Sequence, residues 1–118
     1  MKELKNQSQK YYETIISYKE QGKAIAHFNI SNLDQARTIC DVAEELLQPV
    51  IIGVSEGERG YMGVAMVRAI VDQLNQEYSV PIFLNADHTY SFEKVQEVIE
   101  LGYDSVIVDG AKLPYEEN

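Results

Sequence analysis

The 118-residue sequence predicts an α/β fold assembled from parallel βα units. Three observations carry that expectation. Short, continuous apolar runs recur at roughly 25- to 30-residue intervals, and amphipathic helical patterns fill the spaces between them. The runs lack the polar alternation of a sheet with one wet face, as strands covered on both faces do. Right-handed crossovers then leave two architectures, a small doubly wound sheet or one half of a (β/α)8 barrel.

A leading helix is expected from about Gln7 to Gln21, closed by Gly22. Lys23 to Ile30 follows as the first strand. Ser31 with Asp34 resembles a capping box, and it opens a helix whose apolar stripe is Leu33, Ala36, Ile39, Cys40, Ala43, Leu46 and Leu47. Pro49 to Val54 is the second strand. It runs into a polar, glycine-punctuated loop, Ser55 to Gly60, and then a helix from about Gly63 to Tyr78 that turns Val67, Ile70, Val71 and Leu74 inward. The third strand is Val80 to Ala86. A helix from Ser91 to Leu101 uses Phe92, Val95, Val98 and Ile99, with Gly102 as its C-terminal stop. The fourth strand, Asp104 to Val108, leads into Asp109-Gly110-Ala111-Lys112-Leu113-Pro114. Residues 114–118 then read as the entry to a further helix. Strand four would otherwise present an apolar parallel edge, an aggregation hazard. The expected organisation is therefore a single partial domain over residues 1–118 that pairs with further strands.

Composition narrows the function classes. Hydrophobic residues make up 45% and charged residues 25%, ordinary for a globular protein. No apolar run approaches the roughly 20 residues that span a bilayer. Met1 to Asn6 has no apolar segment behind it, so a signal peptide is not expected. Cys40 is the single cysteine, which fits a reducing cytoplasm and excludes an internal disulfide. Its place in the helical stripe predicts a buried thiol. A formal net charge of -9 argues against nucleic acid or an anionic membrane as a general partner. A phosphorylated small molecule remains compatible, because backbone N–H groups at strand-to-helix loops bind phosphate on acidic proteins.

Every predicted strand delivers polar or glycine residues at its C-terminal end: Phe28-Asn29, Ser55-Glu56-Gly57, Asp87-His88 and Asp109-Gly110. That is the face on which barrel enzymes build their active sites. The adjacent acid and imidazole of Asp87-His88 suggest metal or proton chemistry there. A plainer reading has Asp87 capping a turn and His88 on the surface. Asp109-Gly110 likewise reads as an ordinary turn former.

The blocks Phe28-Asn29 with Asn32-Leu33, Pro49-Val50-Ile51-Ile52, Val54-Ser55-Glu56-Gly57, Asp87-His88, and Asp104 to Gly110 continuing through Leu113-Pro114-Tyr115-Glu116-Glu117-Asn118 resemble the class II fructose-bisphosphate and tagatose-bisphosphate aldolases. The resemblance extends over nearly the whole chain, from a leading Leu4-to-Gln21 helix onward. It implies the N-terminal half of a TIM barrel with a leading helix. It implies metal-dependent aldol cleavage of a ketose bisphosphate to dihydroxyacetone phosphate and an aldehyde, by a homo-oligomer of the full-length protein. His88 would be a ligand of a catalytic zinc, and Asp87 the acid/base on the hydroxyl of the bond being cleaved. Asn29 and Ser55 would touch the dihydroxyacetone-phosphate portion. Asp109 would serve a second divalent or monovalent cation. Zinc suits a reaction that leaves an enediolate, since a Lewis acid draws off the developing charge.

Departures from the family pattern are also visible. Asn85 stands two residues before Asp87 where the family has histidine, and Thr89 stands where it has glycine. Ala111-Lys112 replaces Ser-His, and His27 replaces the alanine before Phe28-Asn29, where it is expected as a hydrogen-bonded interior residue. His27 and His88 are the only two histidines, whereas a catalytic zinc normally takes three protein ligands. The chain alone is therefore expected to bind zinc weakly and to be inactive. The competing reading is a catalytically silent half-barrel that dimerises through strands one and four or binds a phosphate. A third, a small flavin or nucleotide binder, lacks the glycine-rich fingerprint after strand one.

Overall fold

A computed structural model describes the backbone of residues 2–118 and the side chains from Gln7 onward. The elements in chain order are α1 (Lys2–Glu20), β1 (Ala26–Asn29), α2 (Leu33–Glu45), β2 (Val50–Val54), α3 (Glu56–Met62), α4 (Val64–Glu77), β3 (Ile82–Thr89), α5 (Phe92–Glu100) and β4 (Ser105–Val108). All three strand pairings are parallel, and the spatial order is β1-β2-β3-β4. Each crossover therefore steps the same way around. A doubly wound sheet reverses its strand order at a switch point, and this sheet has none, so the progression is that of a barrel.

The core lies between the sheet and its helices. Val50, Ile52 and Val54 of β2 alternate with inward-facing neighbours, as do Ile82, Leu84 and Ala86 of β3. They pack against Ala36, Cys40 and Ala43 of α2, Val67, Val71 and Leu74 of α4, and Val98 of α5. Ile52 and Leu84 are fully buried, and each such side chain contributes about 1.5–3 kcal/mol relative to exposure. On the opposite face, Tyr11 of α1 meets Phe83 edge-on at 5.1 Å.

Cys40 is buried within that core, and burial pushes its thiol up to about 11. Thiolate at pH 8 is then about one part in 10³. The native chain should resist a disulfide thiol reagent and react rapidly once urea unfolds it. Equal rates in both states would place Cys40 outside the core.

Several sequence expectations need correction. Only the two central strands are covered on both faces. All of β1 is exposed, with Phe28 half accessible, and Val108 of β4 is 70% exposed, because each of these strands lacks a neighbour on one side. The α2 cap is Asn32, one residue beyond Ser31. Its Oδ1 accepts from the Gln35 N–H at 2.9 Å, while Gln35 Oε1 accepts from the Ser31 N–H at 2.7 Å. Residues 55–60, expected as a loop, open helix α3. Ser55-x-x-Glu58 is a capping-box spacing, and Ser55 Oγ accepts from the Glu58 N–H at 3.2 Å. Gly63, at φ 95°, separates α3 from α4. Finally, β3 does not end at Ala86 but continues to Thr89.

Candidate functional site

The extension of β3 puts Asp87 and His88 inside a strand, where consecutive side chains ordinarily point to opposite faces. A bulge resolves the conflict. Ala86 is paired with Val106 and Thr89 with Val108, so β3 fits two residues where β4 has one. Past the irregularity, the Asp109 N–H donates to the Thr89 carbonyl at 2.9 Å and the ladder resumes. Bulges re-aim side chains, and this one sends two sequence neighbours to one rim.

Four of the five sequence-nominated residues meet there. Asn29, the last residue of β1, donates through Nδ2 to Asp87 Oδ2 at 2.8 Å, across 58 residues of sequence. His88 Nδ1 lies 2.7 Å from Oδ2 of Asp109, just beyond β4. An ionised carboxylate only accepts, so Nδ1 carries a proton, and in the neutral ring the lone pair then lies on Nε2. Oδ1 of Asp87 is 3.9 Å from that Nε2, too far for a hydrogen bond. The His88 side chain is 56% exposed, whereas Asp87 and Asp109 are mostly covered. The backbone N–H of Ala111, and then the imidazole of His88, hold the Asp109 carboxyl below the usual carboxylate range. Ser55 is not part of this network; its Oγ is engaged in capping α3.

Beneath the rim, on the concave face, a hollow of about 440 Å³ is lined by Tyr11, His27, Asn29, Asn85, Asp87 and Ser105 among others. The sheet register sets Asn29, Gly53, Asn85 and Ser105 side by side across all four strands. Ser105 Oγ donates to Asn85 Oδ1 at 2.8 Å, which turns Asn85 Nδ2 toward His27 Nε2 at 3.1 Å. His27 is thus hydrogen-bonded and faces the hollow with Asn29, as expected, but it is exposed rather than packed. Glycine at position 53 makes room for both side chains. A Cβ there would collide with the His27 ring and come within 2.7 Å of Asn29 Oδ1. Gly53→Ala should push both exposed side chains aside and break the Asn85–His27 hydrogen bond, at a cost of about 0.5–1.5 kcal/mol in chemical denaturation. Unchanged His27 ring resonances in the variant would mean that His27 does not lie across position 53.

Sequence reasoning missed Arg59. This α3 residue is 2% exposed, and its guanidinium reaches the carbonyls of Val54 and Asp87 and the hydroxyl of Thr89. Burial lowers its pKa. The signal available in the sequence was the Ser55-x-x-Glu58 cap, which places Arg59 on a helix instead of in a solvated loop.

As a metal site, the rim offers one well-prepared donor. A histidine that ligates metal characteristically gives its other ring proton to a carboxylate, as His88 gives Nδ1–H to Asp109. Among the described residues no group of three or more His, Cys, Asp and Glu side chains is disposed to hold an ion. Nor is any described helix long and apolar enough to cross a membrane.

Comparison with known proteins agrees with the fold. The profile of the family "Fructose-bisphosphate aldolase class-II" matches residues 9–118. A Staphylococcus aureus (strain Mu50) protein named fructose-bisphosphate aldolase is 40% identical over 111 residues, covering 90% of this chain and 38% of that protein. The chain thus spans 38% of the length of the curated relatives it matches. Among solved structures, the YdjI aldolase of Escherichia coli K12 superposes with a TM-score of 0.71 at 32% identity, over 80% of this chain and 37% of that one. A Campylobacter jejuni fructose-bisphosphate aldolase, at 21% identity, shares the fold with a TM-score of 0.78, over 94% of this chain and 39% of that one.

Proposed function

Because the chain belongs to the class II fructose-bisphosphate aldolase family, we propose that its rim forms one side of a site for metal-dependent aldol cleavage of a ketose bisphosphate. The substrate is fructose 1,6- or tagatose 1,6-bisphosphate, and the products are dihydroxyacetone phosphate and an aldehyde. The observation that supports this reading best is the pair of hydrogen bonds Asn29–Asp87 and His88–Asp109, which gather an acid/base and a metal-competent imidazole at one strand-end face.

Asp87 takes the hydroxyl proton as the adjacent carbon–carbon bond breaks and returns it in the condensation direction. The Asn29 amide holds Oδ2, which leaves Oδ1 without a hydrogen bond to any other described side chain and so available for that transfer. Asn29 also presents its remaining polar capacity to the dihydroxyacetone-phosphate portion. Ser55 retains its hydroxyl proton while capping α3 and donates it to the same portion of the substrate. His88 is a zinc ligand through Nε2, and Asp109 fixes its ring. Both Asp109 oxygens accept hydrogen bonds, from His88 and from the Ala111 N–H. Each oxygen keeps a further lone pair, so a second cation can share this carboxylate with both hydrogen bonds in place. Zinc, when bound, supplies a Lewis acid that withdraws charge from the reacting carbonyl.

Since zinc sites of this kind take three protein ligands, the isolated chain should be inactive. The test joins it to the barrel segment of the Staphylococcus aureus relative that lies beyond the matched region, and follows dihydroxyacetone phosphate release by a coupled reductase. Turnover that disappears with a chelator and returns with Zn²⁺ is the expected result. A folded, zinc-loaded barrel that cleaves neither bisphosphate overturns the proposal.

A further inference from the structure

We infer that Arg59 is a positioning residue, holding the β3 bulge through which Asp87 and His88 serve a single rim. A bulge leaves backbone groups out of the ladder, and those groups need partners. Arg59 Nη1 donates to the Asp87 carbonyl at 2.8 Å, within the bulge, and to the Val54 carbonyl at the end of β2 at 2.7 Å. Nη2 donates to Thr89 Oγ1 at 2.6 Å, on the far side of the bulge, where Thr89 is fully buried. One planar fork thereby fixes the start of the bulge, its end and the neighbouring strand.

The nearest carboxylate to Arg59 among the described residues is that of Glu56, with Oε2 at 4.0 Å from Nη2, and Glu56 is itself bonded at 2.6 Å to Lys94. The guanidinium is instead satisfied by neutral oxygens, two of them within the Asp87–Thr89 segment. Desolvating a charge in this way is expensive, and the benefit falls on the segment that aims Asp87 and His88. Helix α3 is the device that delivers it: Ser55 caps the helix, and Arg59 projects from its next turn back under the strand ends.

The inference rests on the reading in which Asp87 and His88 carry the chemistry, so its test has two arms. In the completed barrel, Arg59→Met should lower kcat by about 10- to 100-fold with KM changed by less than about twofold, because misplacing a reacting group costs rate more than binding. Arg59→Lys should recover part of the loss. Thr89→Val should show a smaller loss, and adding it to Arg59→Met should cost little more, since both remove the same hydrogen bond. In the 118-residue chain, amide exchange needs no aldolase activity. Arg59→Met should speed exchange at the Asp109 N–H, the first ladder bond past the bulge, and leave the Ile30 N–H on Gly53 unchanged. A parent barrel without aldolase activity removes the proposed function, and the exchange arm still judges whether Arg59 holds the bulge. Unchanged Asp109 exchange, or a kcat within twofold of an active parent, overturns the inference.

Discussion

Asp87→Asn in the completed barrel should reduce turnover by about 10²- to 10⁴-fold while leaving its zinc content unchanged, as removal of a positioned acid/base does. The substitution keeps the side-chain shape, and its amide oxygen can still accept from Asn29 Nδ2. What disappears is the capacity to take a proton near neutral pH. Asp87 lines the hollow and lies 3.9 Å from His88 Nε2, close enough to share a substrate with a metal on that nitrogen. Measured kcat together with elemental analysis separates the roles. Activity within a few-fold of the parent would move proton transfer to another group. Parallel loss of zinc and activity would make Asp87 a metal-site residue instead.

The second large effect is expected at His88. Alanine there removes the one nitrogen whose lone pair is left free by a carboxylate partner, and the barrel should lose bound zinc and turnover together. Asp109→Asn provides the graded counterpart. An amide can still engage the imidazole but no longer fixes its tautomer by charge, so zinc affinity should weaken by about 10- to 100-fold without vanishing. Full zinc occupancy in His88→Ala, measured by elemental analysis after dialysis, would remove His88 from the ligand set.

Much of this architecture is legible in the sequence, for physical reasons. The stripes of α2, α4 and α5 and the apolar runs of β2 and β3 are strong signals because those elements bury one face or both. β1 and β4 read the same way although they are exposed, since sequence records what a strand is suited to pack against rather than what covers it. Helix α3 was hidden by Gly57 and Gly60, which weaken helical propensity, even though its capping spacing was present.

The site divides similarly. Strand-end position and residue chemistry nominate Asn29, Asp87, His88 and Asp109, and the parallel register brings them into two bonded pairs. Ser55 is nominated by the same logic but turns its oxygen to α3. The bulge could not be read from β3 alone, because it exists only in relation to β4: two residues between Ala86 and Thr89 stand against one between Val106 and Val108. The cap spacing puts Arg59 on a helix, but what its guanidinium holds is unreadable for the same reason. Its partners lie 5, 28 and 30 residues away and become neighbours only when β2 and β3 pair.

Locating the ion by anomalous diffraction at the zinc edge, in crystals of the completed barrel, probes the rim most directly. The peak should lie within coordination distance of His88 Nε2, with Nδ1 still on Asp109 and the Asp87 carboxylate facing the same space. Zinc bound elsewhere, or a His88 ring turned so that Asp109 no longer holds it, would contradict the account.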